Sequence, residues 1–358
     1  MNRLLEVRKL GQQIWLDNLS RSLIRDGHLA RFVQENGVAG VTTNPAIFQK
    51  AIAGGRYYED DLARLKAEPI TAEARYERLV IPDVQAACDL LHATWSDAKG
   101  EAGYVSLEVS PALAHDEDGT VAAAHRLHAA VARDNVLIKV PATPAGVRAI
   151  ERLIADGISV NVTLLFSLAQ TDAVAAAYVR GLSARAAAGK PVTGVFSVAS
   201  LFLSRVDTLV DSRLDEMDDS ARELRGGTAV AMARLAYQAY RNRFHGEEFD
   251  ALRAQGARPQ YLLWASTGTK NPAYSDLLYV EPLIGPETVN TLPDATLAAL
   301  LDHGRVQLTV DSNTVGAQAH FSGLARRGLD MSAIGDELQT AGLAQFETAF
   351  AELLAATA

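Results

Sequence analysis

The chain has 358 residues, 48% of them hydrophobic and 22% charged, and a formal net charge of -9. This supplies a large apolar core and excludes a basic nucleic-acid-binding chain or a polybasic membrane binder. It does not exclude a phosphorylated small molecule, because an anion site needs only two or three local donors. In chain order, strands are expected at Ile14–Asp17, Val38–Thr42, Tyr104–Val109, Val136–Val140, Ser159–Leu164, Thr193–Val198, Tyr261–Ala265 and Thr288–Thr291. Helices between them are expected at His28–Gln34, Arg75–Trp95, Thr120–Ala132, Pro144–Ala155, Leu168–Ala187 and Gly227–Arg243. Each helical stretch repeats apolar residues every three to four positions.

Strands alternating with helices predict βαβ units on a parallel sheet, and eight units fit a closed (β/α)8 TIM barrel better than an open sheet. The glycine-rich phosphate cradles of open sheets, G-x-G-x-x-G and G-x-x-x-x-G-K-[ST], are missing. Asp211–Gly227 is expected as an inserted helix with a loop. Leu308–Ala358 is expected as extra helices outside the barrel or over its mouth. The reading is therefore one domain over residues 1–358, with 308–358 as a C-terminal helical extension.

The N-terminus lacks the apolar segment of a signal peptide, and no run approaches the ~20 apolar residues of a membrane span. The single cysteine, Cys88, lies at helical spacing with Val84, Leu91 and Trp95 and reads as a core residue; a reactive thiol is the weaker reading. A cytoplasmic protein is the expectation. His125 and His128 form H-x-x-H without a nearby third ligand, so no metal site is expected there. Trp15, Trp95 and Trp264 read as packing residues.

In such barrels the chemistry sits at the C-terminal strand ends. A parallel strand covered on both faces should be continuously apolar, so polar interruptions there need a purpose. Asp17, the Thr42-Thr43-Asn44 run, Glu108, Lys139, Asn161 and Thr163, Ser197 and Ser200, and Ser266 with Lys270 all interrupt or close such strands. Lys139, between Ile138 and Val140, is the sharpest. In an apolar wall its amine would be held neutral and could attack a carbonyl. Asp17 and Glu108 could act as acid–base groups, against the alternatives of a helix cap and a rim salt bridge. The loop Ser266-Thr267-Gly268-Thr269-Lys270 and Arg205 are the expected phosphate donors.

GVTTNPAIF, SLEVSP, VLIKVPAT, SVNVTLLFS and SLFLSRV, in this succession from Ile14 to about Pro293, resemble the transaldolase family. The length and STGTKNPAYSD resemble its larger bacterial subgroup. The resemblance implies Lys139 as Schiff-base lysine, Asp17 as acid–base group, and Glu108 with Thr163 as holders of a catalytic water. It implies Asn44 and Asn161 on the hydroxyls of the dihydroxyacetone unit, and Ser200, Phe202 and Arg205 as the strand-six substrate residues. Ser266 matches a phosphate serine; Lys270 is the nearest cation where the family places an arginine. The implied activity transfers a dihydroxyacetone unit between sedoheptulose 7-phosphate and glyceraldehyde 3-phosphate, giving erythrose 4-phosphate and fructose 6-phosphate. A fructose-6-phosphate aldolase-like class I lyase is the alternative, and a non-catalytic sugar-phosphate-binding barrel is a distant third. Phe202 lacks the hydroxyl that the aldolase relatives tend to carry there, which favours transfer. No cofactor or metal is implied. The partners are small sugar phosphates, not nucleic acid or membrane, and a homodimer is compatible with the sequence.

Overall fold

The computed structural model describes residues 2–358. Eight parallel strands close into a barrel in sequential order: β1 (Gln12–Leu16), β2 (Gly40–Val41), β3 (Tyr104–Glu108), β4 (Val136–Pro141), β5 (Val160–Leu165), β6 (Ser197–Phe202), β7 (Tyr261–Ala265) and β8 (Thr288–Leu292). The seam is complete: β1 pairs with β8 from Gln12↔Thr288 to Leu16↔Leu292. The expected (β/α)8 barrel is therefore the fold.

Local signals account for the units. The helix Pro144–Asp156 starts where Thr143 Oγ1 accepts from Gly146 N at 3.0 Å, with proline at its first position. It stops at Gly157, whose φ of +95° only glycine adopts readily. Its buried face, Ala149, Ile150, Leu153 and Ile154, packs the barrel side. Strand residues bury almost completely, as expected when helices cover a parallel sheet.

The sixth strand departs from expectation. It begins at Ser197, four residues after Thr193. Gly194 takes a left-handed turn at φ +84°, and before Ser197 only the Phe196 carbonyl, accepting from Val160 N at 3.2 Å, joins the ladder. The Phe196 ring stacks on Tyr104 (4.8 Å between rings) and meets Tyr261 edge-on (5.3 Å). Ser200 and Phe202 thus stand within the strand, opposite Leu263 and Ala265 of β7. The Asp211–Gly227 region divides between the helices Ser204–Asp215 and Asp219–Arg222.

Residues 308–358 form the helices Thr314–Arg326 and Met331–Thr357. The second, called here the C-terminal helix, lies across the C-terminal end of the barrel. Gln339 Nε2 donates to the carbonyls of Ala142 and Leu164, each at 3.0 Å, just beyond β4 and within β5. Among the described residues no helix is long and apolar enough to cross a membrane. Cys88 is fully buried, and burial pushes its thiol up to about 12, which makes it a core residue. Trp15 and Trp264 are likewise fully buried in the core.

Candidate active site

The strand ends converge on the C-terminal mouth. In register, Glu108 lies opposite Lys139, Lys139 opposite Asn161, and Pro141 opposite Thr163. Lys139 is 5% exposed, and its Nζ donates to Glu108 Oε1 at 2.9 Å and to the Thr43 carbonyl at 2.7 Å. An ammonium carries three donors, so one direction is left toward the cavity. The sequence placed this amine in an apolar wall. The structure places its stem there and its nitrogen in a polar pocket, because β3 brings a carboxylate alongside at matching register.

Glu108 and Asp17 are each held by a neighbouring threonine. Thr43 Oγ1 lies 2.8 Å from Glu108 Oε2, and Thr42 Oγ1 donates to Asp17 Oδ1 at 2.8 Å. One Thr-Thr step after β2 thus serves an acid at the end of each flanking strand. Asp17 sits one residue past β1, pinned by its backbone N–H to the Leu292 carbonyl at 2.9 Å. Burial raises the Asp17 carboxyl above its ordinary range, against the opposing pulls of the Lys139 charge and the Thr42 hydroxyl. Asp17 caps no helix; Ser20 caps the one that follows.

Two cavities meet at Lys139. The larger, about 110 Å³, is lined among others by Asp17, Asn44, Ser200, Phe202, Arg205 and Ser266. The smaller, about 10 Å³, touches Glu108, Thr163 and Pro141 and is close to the least space that holds one water. Thr163 Oγ1 is buried there without a hydrogen-bond partner. Such a group costs free energy unless something else satisfies it.

Besides Lys139, the larger cavity holds a second cation, Arg205. It has no carboxylate within salt-bridge distance among the described residues, lies 5.5 Å from the Phe202 ring centre, and burial depresses its pKa. A half-buried guanidinium without a counter-ion is arranged for an anionic ligand. Beside it Ser266 adopts φ +54°, rare outside glycine, while its Oγ lies 2.8 Å from Ser204 Oγ.

A family model described as Transaldolase/Fructose-6-phosphate aldolase matches residues 14–357. The chain belongs to this family. A transaldolase of Thiobacillus denitrificans is 57% identical over 356 residues, with 99% of both chains covered. One of Neisseria gonorrhoeae is 53% identical over 355 residues, again with 99% of each covered. Transaldolase 2 of Nostoc sp. is 42% identical over 366 residues, covering 99% of this chain and 96% of the relative. The chain is an enzyme with transaldolase activity, a transferase. The family match runs past Pro293 and takes in the C-terminal helix.

Most of the residues that transaldolase motifs single out meet at these two cavities: Asp17, Asn44, Glu108, Lys139, Thr163, Ser200, Phe202, Arg205 and Ser266. Asn44 also caps the helix Pro45–Ala53, accepting from Ile47 N at 3.0 Å, which fixes its amide at the mouth. Asn161 does not line either cavity. Both ends of its buried amide are engaged, donating to Ser106 Oγ at 2.9 Å and accepting from Ser200 Oγ at 2.6 Å.

Lys270 is not among the residues brought to these two cavities. It lines a separate cleft with Asp207, Asp211, Asp215 and Glu216, not the cavity of Lys139. Beyond Ser266 the chain turns away, and the Thr269 hydroxyl closes onto the Ser275 carbonyl at 2.8 Å. The roles of Thr42, Thr43 and Thr291 were missed; paired hydroxyls directly after a strand were the available signal. Phe346, which lines both cavities from the C-terminal helix, had no such signal.

Proposed function

We propose that Lys139 is the Schiff-base nucleophile and that the surrounding groups move the protons of a dihydroxyacetone transfer. Once a proton passes from its Nζ to Glu108, the Lys139 amine attacks the C2 carbonyl of a ketose phosphate such as fructose 6-phosphate or sedoheptulose 7-phosphate. Loss of water from the carbinolamine gives the iminium. Glu108 and Thr163, around the small cavity, hold the water that carries protons to and from that oxygen. Asp17 takes the proton of the C4 hydroxyl as the C3–C4 bond breaks, and the bonding electrons pass into the iminium. The aldose phosphate leaves and a three-carbon enamine remains on Lys139. Attack on the aldehyde of glyceraldehyde 3-phosphate or erythrose 4-phosphate and hydrolysis of the new iminium complete the cycle. The burial of Asp17 suits it to hold a proton between these steps.

Arg205 and Ser266 would bind the phosphate, Asn44 and Ser200 the hydroxyls of the transferred unit, with Asn161 holding Ser200. Phe202 offers no hydroxyl to protonate the enamine, which favours transfer over release. The observation that carries the reading is one buried amine, 2.9 Å from a carboxylate, facing a cavity that also holds a second acid and an unpaired arginine. The same reading gives a cytoplasmic enzyme of the pentose phosphate pathway, with sugar phosphates as its small-molecule partners; a homodimer is compatible with it. Borohydride reduction with fructose 6-phosphate, followed by mass spectrometry, should find a three-carbon adduct on Lys139. An adduct on another lysine, or none, would overturn the assignment.

A further inference from the structure

The two cavities beside Lys139 share a lining side chain from far along the chain. Among their lining residues only Lys139 and Phe346 belong to both. Phe346 is half-buried and lines both cavities from the C-terminal helix. The C-terminal helix fixes this position along one face. Gln339, two turns earlier, holds the Ala142 and Leu164 carbonyls. At Gly342 a Cβ would stand 3.1 Å from Leu164 Cδ2 and 3.4 Å from Arg205 Nη1, so glycine lets the helix lie close without crowding the Leu164 side chain. One turn on, Phe350 meets the Tyr76 ring at 5.6 Å. The clamp also bears on strain: Leu164, fully buried at φ +61°, follows Thr163 directly, at the irregularity between β5 and β6.

We propose that Phe346 determines how the three-carbon enamine on Lys139 is shared between an acceptor aldose and a proton. The inference rests on the Schiff-base reading above. The enamine carbon faces two electrophiles. Bond formation to an acceptor aldehyde gives transfer. A proton from water at the same carbon gives the iminium of dihydroxyacetone, which one further water hydrolyses to free dihydroxyacetone and the Lys139 amine. The small cavity has room for about one water beside Glu108 and Thr163, where it serves the oxygen leaving C2. Phe346 keeps that water from the substrate cavity and shields both from bulk solvent. Truncating the ring merges the two spaces and lets water reach the carbon.

The test is the ratio of dihydroxyacetone release without acceptor to transfer with saturating acceptor, from fructose 6-phosphate. A ratio within one preparation does not depend on its folded fraction. Phe346→Ala should raise it by about tenfold or more, and Phe346→Leu, which keeps most of the bulk, by roughly two- to threefold. Borohydride trapping runs in parallel. A Lys139 adduct in both wild type and Phe346→Ala with an unchanged ratio overturns the role of Phe346 and leaves the Schiff-base reading standing. No Lys139 adduct in the wild type overturns both.

Discussion

Two buried ion pairs in this barrel have nearly the same geometry and opposite characters. Arg21 Nε meets Asp83 Oδ1 at 2.8 Å, and Lys139 Nζ meets Glu108 Oε1 at 2.9 Å, all four side chains less than a tenth exposed. Around Arg21 the polar atoms are closed off. The guanidinium also reaches Asp61, the Tyr57 carbonyl and the Leu79 carbonyl, and the Tyr58 hydroxyl occupies the other oxygen of Asp83. Around Lys139 the network is open. The Thr163 hydroxyl has no partner, Arg205 has no carboxylate, and two cavities touch the amine. A sealed pair holds helices in register, whereas an open one leaves hydrogen-bonding capacity for a ligand.

The widest contrast comes from breaking each pair. Lys139→Ala should lower kcat by about 10^4-fold or more and abolish the borohydride adduct. Its melting temperature should stay near that of the wild type, because Glu108 keeps the Thr43 hydroxyl and gains water from the cavity. Asp83→Ala should do the reverse. It leaves Arg21 buried without its main partner, at a cost of about 3–5 kcal/mol in denaturant unfolding, with kcat per folded molecule near normal.

A smaller contrast separates two cations, one facing the open network and one outside it. Arg205→Ala should raise KM for phosphorylated substrates by roughly 100-fold, as loss of a charge-assisted phosphate contact does. Lys270→Ala, in its acidic cleft, should change KM by no more than about twofold. Equal effects of the two would restore the phosphate role that the sequence suggested for Lys270.

The smallest effect concerns Asp17 and reads out as stability. Its folded-state pKa is raised by burial, so ionisation costs folding free energy. The cost is absent below the unfolded carboxylate range, grows as pH rises toward the raised folded value, and is constant above it. Asp17→Asn should therefore melt higher than the wild type at neutral pH, and the gain should vanish as pH falls below the ordinary range near 3.8. Thermal scans between acid and neutral pH measure it.

Most of the candidate site is legible in the sequence because its residues violate a strong rule. Lys139, Glu108 and Asn161 lie in strands that burial on both faces would otherwise make apolar, and the barrel brings all such breaks to one rim. What stayed hidden depends on non-local geometry. Lys270 follows β7 closely in sequence, but the turn after Ser266 directs it elsewhere. The sixth strand was placed too early because Val195 and Phe196 are as buried as strand residues, although the ladder pairs residues only from Ser197. Phe346 sits on a helix whose apolar residues spread over more than one face, since it packs on the barrel mouth and on neighbouring helices. No local pattern marks one aromatic among them.

The seam of the barrel sets an order of assembly for the chemistry. Lys139 and Glu108 are 31 residues apart on adjacent strands, so a partial barrel can already bring them together. Asp17 is oriented by Leu292 and by a Thr42–Thr291 contact spanning 249 residues, which exist only once β8 has met β1. Forming such a contact is the slow, entropically demanding part of folding. On the proposed roles, imine formation and carbon–carbon cleavage would depend on different stages of ring closure, and a ring opened between its first and last strands would keep Lys139 beside Glu108 while losing the placement of Asp17.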